Sequence, residues 1–311
     1  MKLVTIVMPT YKRDLIYVKR AVESILSQTY TNLEIIIVDD SPDSYSKRDE
    51  IESYINSIND PRIIFIKNEK NLGGSLARNV GINMATGYYT TFLDDDDRYL
   101  PEKISAQVEY MESTDLDMSF SNILIMTMNE KLIDVRNYDN VSSFENKEFI
   151  KYHLMRHATG TPTFMYKTEK LQEIGGFDDA IMGQEFYLML KSIEKNLAIG
   201  YLNRYDVVVY KHKDDAISKG ENKIIGENLL YERKKKYYHL FTNSEIAFIK
   251  MRHYVVLAIA HRRNGNYLGF FLNLVKAFIC SPLQMLKEGF KFIKKVIEQR
   301  RIYSSNSNSN D

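Results

Sequence analysis

The chain lacks several features that would assign its class at once. It has a single cysteine, Cys280, so it can form neither an internal disulfide nor a paired-cysteine metal site, which suits a reducing compartment. No stretch reaches the ~18–20 apolar residues needed to cross a bilayer. The apolar run Leu3–Met8 behind Lys2 is too short for a signal-peptide core, and Pro9 and the charges after it close the run. Neither sign of charge dominates: 42 lysines and arginines face 41 aspartates and glutamates, which argues against a nucleic-acid binder. Internal repeats are absent too. A cytoplasmic protein is expected.

What is present is ordinary in amount and informative in order. At 311 residues about two domains are expected, and 44% hydrophobic with 27% charged residues is enough for a packed core. Short β-branched runs at Leu3–Met8, Leu33–Val38, Ile63–Ile66 and Tyr88–Leu93 alternate with amphipathic segments at Leu15–Leu26, Arg48–Ile58 and Ser75–Ala85. Strands that are apolar throughout, separated by helices, predict a parallel sheet covered on both faces. Ligands bind such sheets at the carboxyl ends of the strands. There the sequence turns polar: "PTYKR", "DDS", "NEKNLGG" and "DDDD" follow the four runs. Later strands are expected over Met118–Thr127, Thr163–Tyr166 and Val207–Tyr210, with a helix over Glu185–Ile193. From about Lys223 long helical patterns take over, punctuated by Gly265 and Ser281–Pro282. The low-complexity "SSNSNSND" end is expected to be disordered.

Four consecutive carboxylates, Asp94 to Asp97, repel one another, and either solvent or a cation can make them tolerable. Alternate residues of a short extended turn point the same way, so Asp94 and Asp96 could share a ligand. Hard cations such as Mg²⁺ or Mn²⁺ take one or two carboxylates plus substrate phosphates. Position at a strand end favours the cation over a solvated acidic turn. In Asp39–Asp40 one carboxylate could accept a hydrogen bond from a base or ribose, or serve as a turn or helix cap. Gly73 and Gly74 precede a helix whose free N–H groups would favour anions, and Arg78 on that helix can pair with phosphate or carboxylate. A plain glycine turn is the alternative there.

Taken together, "VTIVMPTYKR", "IIIVDDS", "NLGGSLARNVGINMATGYYTTFLDDDD", "IGGFDD" and "GQEFYLMLK" resemble, in order and spacing, the family 2 glycosyltransferases of bacterial surface polysaccharide synthesis. The resemblance covers roughly residues 3–215. It implies a GT-A fold, a Rossmann-like, mostly parallel α/β sheet flanked by helices. The catalytic domain would occupy 1–215, a helical region 216–302 and a disordered tail 303–311. It also implies a metal-dependent inverting transfer from a nucleotide sugar, expected to be a UDP-sugar, to a glycan or lipid-linked saccharide. Pro9, Thr10 and Tyr11 match the loop that holds the nucleotide, with Arg13 beside them. Asp39 matches the carboxylate at the uracil edge, and Arg78 an arginine near the nucleotide. Asp94 and Asp95 fall at the nucleotide-sugar positions, and Asp96 is the principal ligand of Mn²⁺ or Mg²⁺. Glu185 stands where inverting members usually carry the aspartate base, and His212 matches a late histidine that in some relatives completes the metal site.

Other classes fit less well. A nucleotidyltransferase would carry a glycine-rich loop after the first strand, and "PTYKRD" has no glycine. An aspartyl-phosphate phosphatase would need Asp where Pro9 and Thr10 stand. A non-catalytic scaffold would be expected to have lost Asp94, Asp96 and Glu185.

At the C-terminal end Leu283, Leu286, Phe290, Ile293 and Ile297 form one helical stripe, with Lys287, Lys291, Lys294 and Lys295 opposite. That pattern suits a helix lying on the inner face of a membrane. Packing against the catalytic domain, or forming a homodimer, is the alternative use of the same residues.

Overall fold

A computed structural model describes residues 1–158, 160–211 and 220–291. His212, the disordered-tail expectation and the last positions of the C-terminal stripe (Ile293, Lys294, Lys295 and Ile297) lie outside the described residues. The chain divides into two compact units. The first comprises Met1–Ile150, Ala158–Ala180 and Gln184–Lys211; the second comprises Lys151–His157, Ile181–Gly183 and the chain from His212 onward.

The first unit is built on a seven-stranded sheet. Its strands are β1 (Val4–Thr10), β2 (Leu33–Asp39), β3 (Ile63–Lys67), β4 (Tyr89–Phe92), β6 (Met118–Ser121), β9 (Met165–Lys167) and β10 (Ile199–Leu202). Their order is β10-β6-β9-β4-β1-β2-β3. Only β9 runs against its neighbours β4 and β6. The helices between the early strands are α1 (Leu15–Leu26), α2 (Arg48–Ile58) and α3 (Gly74–Met84), followed by α4 (Lys103–Thr114).

One sheet face packs Ile6, Met8, Ile35 and Ile37 against Val18, Val22 and Ile25 of α1 and Ile51 of α2. The opposite face packs Ile36 and Val38 against Ala77 of α3. Each fully buried isoleucine or valine contributes about 1.5–3 kcal/mol relative to exposure. A Cβ on Gly81 of α3 would come within 2.4 Å of the Val7 side chain, so only glycine lets α3 lie this close to β1.

Topology then selects a place for a ligand. From β1 the chain steps outward to β2 and β3, then returns to lay β4 on the other side of β1. The gap beyond the carboxyl ends of β1 and β4 is the point where strand order reverses.

Met118–Thr127, expected to be one strand, is two. It breaks at Asn122, a fully buried residue, and β7 (Ile123–Thr127) leaves for a second sheet. That four-stranded sheet has the order β5-β11-β7-β8, adding β5 (Arg98–Tyr99), β8 (Leu132–Arg136) and β11 (Val207–Lys211). Two further helices, α6 (Thr168–Glu173) and α7 (Gln184–Glu194), belong to this unit. Helix α5 (Asn146–Arg156) begins in the first unit and ends in the second.

The second unit is helical: α8 (Glu221–Lys235), α9 (Asn243–Arg263), α10 (Tyr267–Cys280) and a further helix, Pro282–Lys291. Thr242 and Glu245 form a reciprocal cap at the start of α9. Gly265, at φ +75°, turns the chain after α9, and Ser281 separates the last two helices, as the punctuation predicts.

Candidate functional site

β1 and β2 end in register, Thr10 opposite Asp39, and β4 ends beside β1, where the Leu93 N–H donates to the Val7 carbonyl. Asp94–Asp97 follow as a turn closed by the Asp97 N–H donating to the Asp94 carbonyl at 3.0 Å. Burial alternates along it. Asp95 and Asp97 are 5% and 3% exposed, whereas the side chains of Asp94 and Asp96 are 34% and 18% exposed. Asp94 and Asp96, the two expected to share a ligand, are the more exposed members of the quartet.

Cations surround the turn. Arg13 Nε donates to Asp95 at 2.9 Å and its terminal nitrogen lies 3.1 Å from Asp96. Arg78 pairs with Asp94 and donates to Gln184 Oε1 at 2.9 Å. Burial pushes the Asp95 carboxyl up to about 7; Arg13 opposes the shift and Asp96 adds to it. Burial raises Asp97 well above the usual carboxylate range, with Asp96 and Asp94 adding to it. The Tyr210 N–H, on β11, donates to Asp97 at 3.1 Å. The inner pair of carboxylates is buried and hydrogen-bonded, and the outer pair, each member held by an arginine, stays partly exposed.

Around this turn, Pro9 and Thr10 close β1, and Tyr11 leaves its ring 43% exposed while its N–H reaches Asp95 at 3.4 Å. Asp39 is fully buried, with one oxygen held by Arg48 at 2.6 Å and the other by the Ser41 N–H at 3.0 Å. A carboxylate has about four lone-pair sites, so acceptor capacity remains. Asp40 takes the turn role: it accepts from the Leu72 and Gly73 N–H groups, each at 2.8 Å, and from Asn68. This fixes the loop ahead of α3, where Gly73 sits at φ +83°. The Gly73 N–H is consumed there and is not offered to an anion.

Gln184 opens α7, and its hydrogen bond to Arg78 brings the start of that helix to the quartet. Glu185, the next residue, is half-buried and has no hydrogen-bond or ion-pair partner among the described residues. Asp178, the nearest substitute, is paired with Lys191.

Three participants escape sequence reading. Arg48 neutralises Asp39 from the first turn of α2. Arg20 on α1 donates to the Asp96 carbonyl at 2.5 Å and lies 3.6 Å over the Tyr210 ring. Gln184 ties Arg78 to α7. Arg20 and Gln184 lie 76 and 106 residues from the groups they hold, Arg48 nine from Asp39, and no local pattern announces the pairings.

Among the described residues no group of three or more His, Cys, Asp or Glu side chains could hold a metal ion. Two outer carboxylates suit a hard cation that takes its remaining ligands from a diphosphate, so the donor chemistry of Asp94 and Asp96 fits Mg²⁺ or Mn²⁺.

The family model described as Glycosyl transferase family 2 matches residues 5–175, more than half of the chain. The chain belongs to glycosyltransferase family 2. An uncharacterized glycosyltransferase of Methanocaldococcus jannaschii is 32% identical over 204 residues, which cover 65% of this family 2 chain and 69% of that one. The UDP-Glc:alpha-D-GlcNAc-diphosphoundecaprenol beta-1,3-glucosyltransferase WfaP of Escherichia coli is 45% identical over 126 residues, 40% of this chain and 47% of WfaP. The match thus spans about half of WfaP. In fold, the chain resembles the crystal structure of S. aureus TarS 1-349 in complex with UDP-GlcNAc, with a TM-score of 0.60 and 15% identity over 88% of this chain and 90% of that one. The expected GT-A architecture is confirmed, and this family 2 enzyme is a glycosyltransferase.

Proposed function

We propose that the enzyme transfers a sugar, with inversion, from a UDP-sugar to a hydroxyl of a glycan or lipid-linked saccharide. The observation that carries this reading is the alternation in Asp94–Asp97, which turns two carboxylates outward between Arg13 and Arg78. TarS, solved in complex with UDP-GlcNAc, and WfaP, named as a glucosyltransferase acting from UDP-Glc, support the choice of nucleotide.

Tyr11 offers an exposed ring for a base to stack on, and Asp39 retains lone pairs for the base edge. Arg13 and Arg78 can exchange their carboxylate partners for phosphate oxygens. Asp96 and Asp94 would hold a divalent cation, which when bound would supply charge neutralisation for the departing diphosphate, and His212 is a further candidate ligand. The bond from the anomeric carbon to the phosphate oxygen breaks, and its electron pair leaves with the diphosphate. The acceptor oxygen bonds to that carbon from the opposite face, and Glu185 takes its proton. A carboxylate is a weak base toward a sugar hydroxyl, so proton transfer to Glu185 is concerted with attack. A lipid-linked acceptor implies work at the cytoplasmic face of a membrane, with the enzyme peripheral to it.

The test is calorimetry with UDP. Affinity is expected to fall strongly when EDTA is added and in Asp96→Ala. Undiminished binding in both would sink the metal-assisted reading.

A further inference from the structure

Helix α10 buries only Asn273 and Ala277, four residues apart, and Ala277 packs with Phe248 and Met251 of α9. Most of the remaining residues of the helix are apolar and exposed. Leu268 (72% exposed), Phe271 (62%), Leu272, Val275 and Ile279 (73%) recur at helical spacing and form one outward stripe. On the next helix Leu283, Leu286 and Phe290 are exposed as well. Single exposed leucines are common on soluble proteins, but a contiguous apolar surface marks an interaction site. The one cation on α10, Lys276, reaches back over the Tyr254 ring of α9 at 5.6 Å and does not interrupt the stripe.

Two observations identify the occupant. From Ile246 to Lys291 seven lysines and arginines face one acid, Glu288, in a chain that is otherwise nearly neutral. No single described helix is long enough to cross a bilayer. The 14 residues of α10 reach only about 21 Å against a hydrocarbon core of ~30 Å, and the chain bends by 114° before the next helix. A second copy is the less suitable partner, because a two-fold interface would set like charges against like charges.

We propose that α10 lies in the plane of a bilayer rich in acidic phospholipid, with Leu268, Phe271, Leu272, Val275 and Ile279 at the acyl boundary. Lys287 and Lys291, on the next helix, supply charge for the phosphates. This rests on the peripheral reading above and moves the principal contact from the last helix to α10.

The experiment is flotation of the full chain with phosphatidylcholine vesicles, with and without phosphatidylglycerol. The native chain should float only with the acidic lipid, and less so at high salt, which screens the charges. The exposed-site variant Phe271→Ser/Leu272→Ser/Ile279→Ser should lower the bound fraction by about tenfold or more while binding UDP like the native chain. Because the chain has no tryptophan, Phe271→Trp adds a single fluorescent reporter. Its emission should shift to the blue on acidic vesicles and be quenched by lipids brominated on their acyl chains. Absence of native binding at low salt, full binding by the triple variant, or a reporter that the brominated lipids leave unquenched would overturn the proposal. So would a native dimer that the triple variant turns into a monomer. Failure of the native chain to bind UDP would instead refute the UDP-sugar reading and leave this one standing.

Discussion

In the sheet unit, the side chains out of their usual place are charged ones on the inside. Asp39, Asp40, Arg48, Asp95 and Asp97 are all at least nine-tenths buried, and the hydrogen bonds among them hold the loops that form the site. In the helical unit, they are apolar ones on the outside, along α10 and the helix after it. Buried charge is expensive unless paired, and exposed apolar surface is unfavourable unless covered. The most concentrated departures from the common pattern fall where a ligand is proposed to bind, and their kind matches that ligand's chemistry. Anions and a cation suit the first, and a lipid surface suits the second.

The comparison can be broken at several strengths. The largest effect belongs to Glu185, whose unpartnered carboxylate departs from the neighbouring pattern of fully paired acids. Glu185→Gln should slow transfer by about 10²–10⁴-fold with UDP affinity and melting temperature unchanged. A variant with normal turnover would move the base elsewhere.

Next comes the buried pair in the sheet unit. Arg48→Met leaves Asp39 as an uncompensated internal charge, so urea unfolding should show a loss of about 3–5 kcal/mol. A loss below about 1 kcal/mol would mean that Asp39 is solvated or protonated without Arg48.

The smallest effect is expected where the helical unit also buries charge. Lys234 Nζ sits 2.8 Å from His157 Nε2, and burial lowers this lysine from 10.5 to about 8. Between those two values the unfolded chain holds a proton that the folded chain has released, so stability rises with pH across that window. Hydrogen exchange in α8 and α9 should report a gain on the order of 1–3 kcal/mol. Lys234→Met should flatten the rise; a slope that persists would assign it to other groups.

The sequence made the parallel half of the sheet readable because its strands are buried on both faces and so are apolar without interruption. α1 and α2 fall at the predicted bounds. The second sheet was hidden, since β5 has two residues, β8 carries Asp134 and Arg136, and β7 continues β6 with only Asn122 between. In the site, the quartet and its place at a strand end were legible, and its burial alternates along a turn closed by the Asp97 N–H on the Asp94 carbonyl. The partners that hold Asp39, Asp96 and Arg78 could not be read, because ion pairs between α2 and β2, or α1 and the quartet, are decided by packing and leave no period in the chain. The exposure of α10 was hidden for the same reason: an apolar helix reads alike whether or not a neighbour covers it.

The quartet bridges two sheets. β4 anchors its start in the large sheet and β5 its end in the small one, where Val207 and Val208 pair with Tyr99 and Arg98. With both ends clamped, the length of the span sets the phase of the alternation. Four chemically identical side chains are thereby sorted into two trades by odd or even position alone. A one-residue insertion would keep every aspartate and still exchange the buried pair for the outward one. Parity is the inherited quantity here, and composition cannot record it.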